Sequence, residues 1–176
     1  AGAEHITFGD PDFFNGVTLS LEIVRQLNCQ YPQLSYDVTI KIEHLLRYAS
    51  HLKTLKETGC LFITSAVESL DDHVLRLLNK GHTRDDFLKA NKLLSELGLP
   101  LNPTFIPFTP WTSWESYCQL LDVLLEEGLM ESVSPIQLAI RLLIPSHSPL
   151  LELTDIQKTV KNFDKNKLSY SWKHPD

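Results

Sequence analysis

The sequence has few thiols. Cys29, Cys60 and Cys118 are its three cysteines, and no two stand near each other. That spacing excludes a metal-ligand motif or a paired redox motif written locally in the chain. Long hydrophobic runs are also missing. No stretch of 18 apolar residues occurs and no signal peptide is visible, so a soluble, reduced, cytoplasmic setting is the default expectation, with no membrane partner. Positive charge is not in excess: 16 Lys and Arg stand against 22 Asp and Glu, for a net charge of -6. An acidic chain is poorly suited to nonspecific binding of DNA or anionic lipid, and no nucleic-acid partner is expected. No glycine-rich dinucleotide loop, no HExxH helix and no Ser–His–Asp arrangement appears.

What is present reads as one globular core. Of 176 residues, 43% are hydrophobic and 22% charged, enough for one core and too little for two. Strand and helix patterns alternate. "EHITFGD" reads as a short buried strand, followed by a helix capped at Thr18 with Leu21, Ile23, Val24 and Leu27 on an apolar stripe. "YDVTIKIE" alternates, with Val38, Ile40 and Ile42 on one face and Thr39, Lys41 and Glu43 on the other. A helix over about 45–57 ends at Gly59. "CLFITSA" is a third strand, with a capping arrangement from Ser69 after it. Thr83 and Asp86 start the next helix, and Gly98 ends it. "LNPTFIPF" is a fourth strand. Thr112 and Glu115 form a capping box for a helix stopped by Gly128, and "IQLAIRLL" alternates as a fifth strand.

Long crossovers between successive strands imply a parallel α/β sheet. It is either an open doubly wound sheet or part of a barrel. Polar residues at alternate strand positions and the missing dinucleotide loop favour the barrel. The expected fold is therefore a partial (β/α) barrel of the TIM type, with five parallel strands and outer helices over residues 1–151. A polar, basic-leaning tail over 152–176 follows, with Trp172 as its anchor. An exposed sheet edge offers a route to self-association.

Active sites of parallel α/β folds gather at the C-terminal ends of the strands. The first end carries Asp10 and Asp12 after Gly9, in a segment that is also an ordinary turn sequence. The second carries Lys41 and Glu43, an internal ion pair or a solvent face if they hold no ligand. Thr64, Ser65 and Glu68 end the third strand, where Glu68 is otherwise a loop acid. Ile106, Phe108 and Trp111 follow the fourth, as the wall of an adenine-sized group or as core. Arg141 on the last strand suits a carboxylate, or a structural ion pair.

From Glu4 to about Leu151 these segments resemble the later part of a radical S-adenosylmethionine (radical SAM) protein, closest to the cobalamin-associated and methylthiotransferase-like branches. "ITFGDPDFF" is similar to the family's Gly-Gly-Glu-Pro segment, with Gly9 and Pro11 matching, Asp10 as a shorter acid in place of the glutamate and Phe8 in place of the first glycine. "LFITSAVES" is similar to Gly-x-Ile-x-Gly-x-x-Glu, with Ile63 and Glu68 matching and Leu61 and Ser65 in place of the glycines. "VESLDDHVLRLLNKGHTRDDFLKA" carries the most specific likeness, and "NPTFIPFTPWTS" and "IQLAIRLLIPSHSPLL" resemble the next strand and the closing one.

The resemblance implies a 4Fe-4S cluster, S-adenosylmethionine as cofactor and, in the intact parent, reductive cleavage to a deoxyadenosyl radical that attacks a small or unidentified substrate. Asp10, Glu43, Ser65, Glu68 and Phe108 are the implied cofactor contacts. Lys41 and Arg141 are the candidates for a cofactor or substrate carboxylate. No residue is assigned to a metal, because the cluster's C-x-x-x-C-x-x-C is not in this chain. The first residues are not Met, and His5 already reads as inside a strand. The expectation is a piece of a longer protein, inactive alone and with no cofactor expected bound beyond weak residual affinity for S-adenosylmethionine, with the cysteine loop upstream. A cluster-free barrel lyase or aldolase relative using Lys41, or a non-catalytic binding module, are the alternatives.

Overall fold

A computed structural model describes residues 2–174. Ala1, Pro175 and Asp176, at the outer ends of the two expected segments, lie outside the described residues. Strands β1 (His5–Thr7), β2 (Ser35–Thr39), β3 (Cys60–Glu68) and β4 (Leu101–Phe105) form a parallel sheet in the order β1-β2-β3-β4. The crossovers carry α1 (Val17–Gln30), then α2 (Ile42–Arg47) and α3 (Ala49–Glu57), then α4 (Asp72–Leu77) and α5 (Arg84–Glu96). Helix α6 (Trp114–Glu126) follows β4.

One buried cluster joins the sheet to its helices. Tyr36, Val38, Ile63, Val67, Leu101 and Phe105 of the strands pack with Leu21 and Val24 of α1, Leu52 and Leu55 of α3, Phe87 and Leu94 of α5 and Leu120 and Leu124 of α6. Side chains alternate across a strand, so the intervening residues turn to the face the helices leave free. Register pairs Thr7 with Asp37, Asp37 with Phe62, Thr39 with Thr64 and Thr64 with Asn102. The helix-free face thus carries the short polar side chains Thr7, Asp37, Thr39, Thr64 and Asn102 beside the ring of Phe62. The strand order runs without reversal, which argues against the doubly wound alternative.

The structure corrects several expectations. Four strands are parallel, not five. "IQLAIRLL" forms a 3-10 turn at Pro135–Ala139 and then one isolated bridge between Phe108 and Arg141. Pro135 at the first position of that turn favours helical φ over the extended geometry of a strand. The β4 edge that a fifth strand would pair is met instead by a side chain: Phe105 N–H donates to Gln137 Oε1 at 3.3 Å. The strand "YDVTIKIE" stops at Thr39, and Lys41 is the N-cap of α2, so Lys41 and Glu43 do not alternate along a strand. The first strand is mostly exposed, with only Ile6 half-buried. Helix α1 is preceded by Gly16 rather than capped by Thr18, and the expected helix over 45–57 is interrupted at Tyr48. Asp71, not Ser69, caps α4, and Ser113 with Ser116, not Thr112 with Glu115, forms the box of α6. The Thr83–Asp86 box is as expected, and the Thr83 hydrogen bonds hold the Asp86 carboxyl below its usual range.

After the bridge the chain builds a second, antiparallel sheet. Strands β5 (Ile144–Pro145), β6 (Val160–Asp164) and β7 (Ser169–Trp172) lie in the order β5-β7-β6, with α7 (Thr154–Thr159) between β5 and β6. Leu142, Ile144, Ile156 and Trp172 are its core, and Leu78, Ile106 and Trp111 pack against it. Trp172 Nε1 donates to Leu142 O at 2.8 Å. This second sheet therefore sits beside the C-terminal ends of β3 and β4.

Candidate functional site

The C-terminal ends of β1, β2 and β3 bring charged groups together. After β1, Asp10 Oδ1 accepts from Asp12 N–H at 2.9 Å, an Asx turn that aims the second carboxylate inward. Asp12 is 5% exposed. Its Oδ2 lies 2.8 Å from His44 Nδ1 and 3.6 Å from Lys41 Nζ. The Asp12–His44 contact is close but does not meet hydrogen-bond geometry, since neither atom has a hydrogen-bonded partner. Lys41 N–H approaches Asp12 Oδ1 at 3.4 Å. The side chain of Lys41 is 58% exposed.

The segment between α4 and α5 folds over the same end. Lys80 Nζ pairs with Glu68 Oε1 at 3.0 Å. It also donates to Ala66 O at 3.4 Å. Next along the chain, Gly81 lies against the Glu43 carboxylate. His82 is buried, and its Nε2 lies 3.2 Å from Val67 O. Burial pushes the His82 pKa down, opposed by that backbone contact. A neutral ring donating from Nε2 fits both observations. Lys80, Gly81 and His82 were absent from the sequence reading as site residues. Their signal was the NKG turn after the Glu68 segment.

Glu68 itself sits in an unusual backbone conformation. Its φ is 69°, in the left-handed region that costs a non-glycine residue about 1–2 kcal/mol. The β3–β4 register shifts between Ala66 and Glu68, which marks a bulge. Bulges re-aim side chains next to sites. The strain is anchored on both sides, with Ile106 N–H donating to Glu68 O and Ser69 N–H to Val67 O.

The seven residues singled out from the sequence fall into three places. Asp10, Lys41, Glu43 and Glu68 belong to the linked charged group just described. Phe108 and Arg141 meet at the isolated bridge beyond β4. Ser65 stands apart: it is fully buried between Ile63 and Val67 on the helix side of β3, and its hydroxyl has no partner. Thr64, its neighbour, is on the helix-free face. The sequence reading also missed the group at the other end of that face. Asp37 Oδ1 accepts from Thr7 Oγ1 at 2.7 Å and meets His5 Nε2 at 2.8 Å, while the His5 ring stacks on Phe62.

The cysteines do not converge. Cys29 is exposed in α1, Cys60 is buried at the start of β3 and Cys118 is partly buried in α6. Burial, reinforced by Asp37, pushes the Cys60 thiol up to about 12. No group of three or more His, Cys, Asp or Glu among the described residues could hold a metal ion. An iron–sulfur cluster needs several thiolates meeting in one small volume, so these residues do not fit one.

The sheet and its site can be set beside known proteins. No curated protein matches the chain. Among solved structures, the cobalamin-dependent S-adenosylmethionine radical enzyme OxsB matches with a TM-score of 0.75 at 19% identity, over 99% of this chain and 32% of that one. Elp3 of the archaeon Methanocaldococcus infernus gives a TM-score of 0.63 at 14% identity, over 88% of this chain and 39% of that one. The radical S-adenosylmethionine methyltransferase TsrM of Kitasatospora setae gives 0.55 at 15%, over 71% and 24%. These likenesses concern the fold, and the chain spans about a third of the OxsB length. The sequence pattern of the radical SAM superfamily matches residues 2–124, which takes in β1 to β4 and nearly all of α6. By that match over most of its length, the chain belongs to the radical SAM superfamily.

Proposed function

We propose that this chain carries the S-adenosylmethionine-binding side of a radical SAM site, on the arc of a partial (β/α) barrel. The observation that carries the proposal is the polar row Thr39–Thr64–Asn102 on the helix-free face, ending at the strained, ion-paired Glu68. Hydroxyls, an amide and carboxylates at strand ends suit a ligand with an ammonium and a ribose. By the family resemblance we assign Asp10 and Glu43 to the ammonium side and Glu68 to the ribose hydroxyls, while Phe108 stands apart, at the bridge with Arg141 beyond β4. Ser65 sits behind the sheet and supports β3 from the core side.

The family's radical chemistry draws an electron from a 4Fe-4S cluster, and the thiols here do not fit one. We therefore assign the cluster ligands and the radical-forming step to residues outside the described chain, in a longer parent. What these residues do is bind and orient. Lys80 holds Glu68 at the strand end, and the Asp12 carboxylate lies against Lys41 and His44 at the entry to α2. A soluble, cytoplasmic parent is part of this proposal. No described helix is long and apolar enough to cross a membrane, and the cysteines are free.

The lyase alternative loses support at Lys41. A Schiff-base lysine is activated by desolvation or a neighbouring cation, whereas Lys41 is exposed and lies beside a carboxylate. Equilibrium dialysis of S-adenosylmethionine against the chain tests the proposal. Binding should be measurable and should weaken at least about tenfold in Glu68→Ala, roughly the loss of one charged hydrogen bond. Equal binding by wild type and Glu68→Ala would sink it.

A further inference from the structure

The bridge beyond β4 opens onto a cavity of about 600 Å3, lined in part by Phe108, Thr109, Thr112, Trp114, Arg141 and Trp172. Its volume is that of a small-molecule site. Three features give it a chemistry. The first is a clamped cation. Arg141 Cζ stands 3.6 Å from the centroid of the Trp172 ring, and the guanidinium also donates to Trp172 O. Trp172 is itself buried and hydrogen-bonded to Leu142, so the clamp is rigid. No carboxylate among the described residues pairs with Arg141. A guanidinium has five N–H donors in a planar fork. Among the described residues one is used, on Trp172, and an edge is left for a bidentate acceptor.

The second feature is an aromatic wall. Phe108 is 43% exposed and Trp114 is 74% exposed. Both pack on Tyr117, with ring centroids 5.2 and 6.2 Å away. Exposed rings held in place by a third ring are a stacking surface whose ordering cost is already met. The third is a fixed rim. Thr109 and Thr112 hydroxyls bond each other at 2.8 Å, and Trp111 N–H donates to Thr109 Oγ1. The cavity also meets the first turn of the 13-residue helix α6, whose N-terminal end favours negative charge.

We infer that this cavity is a substrate pocket for a flat, apolar or aromatic molecule bearing a carboxylate or phosphate. The Arg141 fork takes the anionic group, and Phe108 and Trp114 take the flat body. The proposed S-adenosylmethionine site lies at the neighbouring strand ends. The inference depends on that reading for calling the ligand a substrate, and not for the binding itself.

Calorimetry with the full chain tests it. The probes are 2-naphthoate, 2-naphthyl phosphate, the uncharged 2-naphthamide and inorganic phosphate. Saturable one-to-one binding of naphthoate or the naphthyl phosphate is expected, at least about tenfold tighter than the amide, a difference within reach of one charge-assisted bidentate pair. The better of the two anions identifies the head group. Arg141→Gln should remove the preference for charge. Trp114→Ala, a change at an exposed position, should weaken both anions about tenfold and keeps the test decisive if Arg141→Gln disturbs the second sheet. Glu68→Ala should leave naphthoate binding unchanged, so loss of S-adenosylmethionine binding alone would fault the functional proposal and not this one. No binding of either aromatic anion, equal binding of the amide, or inorganic phosphate binding as well as the naphthyl phosphate would overturn the inference. So would competition between naphthoate and S-adenosylmethionine, which would make the cavity part of the cofactor site.

Discussion

Glu43 and Gly81 share one space: a Cβ added at Gly81 would lie 2.4 Å from Glu43 Oε2 and 2.9 Å from its Cδ. The obstructing atoms are the far end of a flexible side chain, so the carboxylate can swing away. Gly81→Ala should therefore leave the unfolding free energy within about 1 kcal/mol of wild type, while moving Glu43. A double-mutant cycle in denaturant with Glu43→Ala checks this. The two changes should couple, because without the carboxylate the methyl group meets nothing comparable. Additivity would show that the two residues do not touch in solution.

His82 makes stability depend on pH. Its folded pKa lies below the ordinary 6.5, chiefly because burial disfavours the charged ring. Lys80 lowers it further, while Asp86 and Glu43 act the other way. The unfolded chain therefore binds the proton first as pH falls. The His82 contribution is complete above about pH 6.5 and is lost as pH falls from there through the folded value. Urea midpoints measured from about pH 7.5 down to 5 should drop in wild type and drop less in His82→Gln. An equal drop in both would place the acid sensitivity elsewhere.

The three thiols should react in the order of their exposure. Cys29 is exposed, Cys118 is intermediate, and Cys60 is buried with its pKa pushed to about 12. A thiolate is the reactive form, so an aromatic disulfide reagent at neutral pH should label Cys29 first and Cys60 only on unfolding. Anaerobic reconstitution with iron and sulfide should likewise give no stoichiometric 4Fe-4S signal in electron paramagnetic resonance. A stoichiometric signal would show that these thiols can converge after all.

Trp172→Ala should release the second sheet and spare the first. The indole fills the small core with Leu142, Ile144 and Ile156, apart from the main cluster. Truncating a buried Trp costs about 3–5 kcal/mol. Amide exchange by mass spectrometry should speed up across β5, β6 and β7 and stay slow in β2 and β3. Uniform loss of protection would mean that the two cores unfold as one.

Much of the fold could be read from local pattern. Thr83 and Asp86 capped a helix as expected because a capping box needs only four consecutive residues. Val38 marked its strand by alternation, and the short apolar segments that carry Ile63 and Leu101 marked two more. The same rule misled at Ile40–Lys41–Ile42, where an alternating triplet is also the way into a helix capped by Lys41. It misled again after Pro135, where alternation in "IQLAIRLL" outlived the strand it implied. Ser65 was readable against its assignment, since it shares parity with Ile63 and Val67, and both are core. The contact of Asp12 with His44 and the Lys80–Glu68 pair were not readable. Each joins residues on separate elements, and nothing local requires them.

The bridge at Phe108 and Arg141 gives the parallel sheet an asymmetric rim. Phe108 N–H donates to Ile140 O at 3.2 Å, and Leu142 N–H donates to Phe108 O at 2.8 Å. Two such bonds contribute about 1 kcal/mol each, far less than the continuous ladder between β3 and β4. The molecule therefore has a seam. Local opening begins where pairing is thinnest, so the sheet frays from this side while the β2–β3 centre stays closed. A segment that peels back here uncovers the aromatic wall and the ends of the strands together, so their exposure is coupled to the loss of these two bonds.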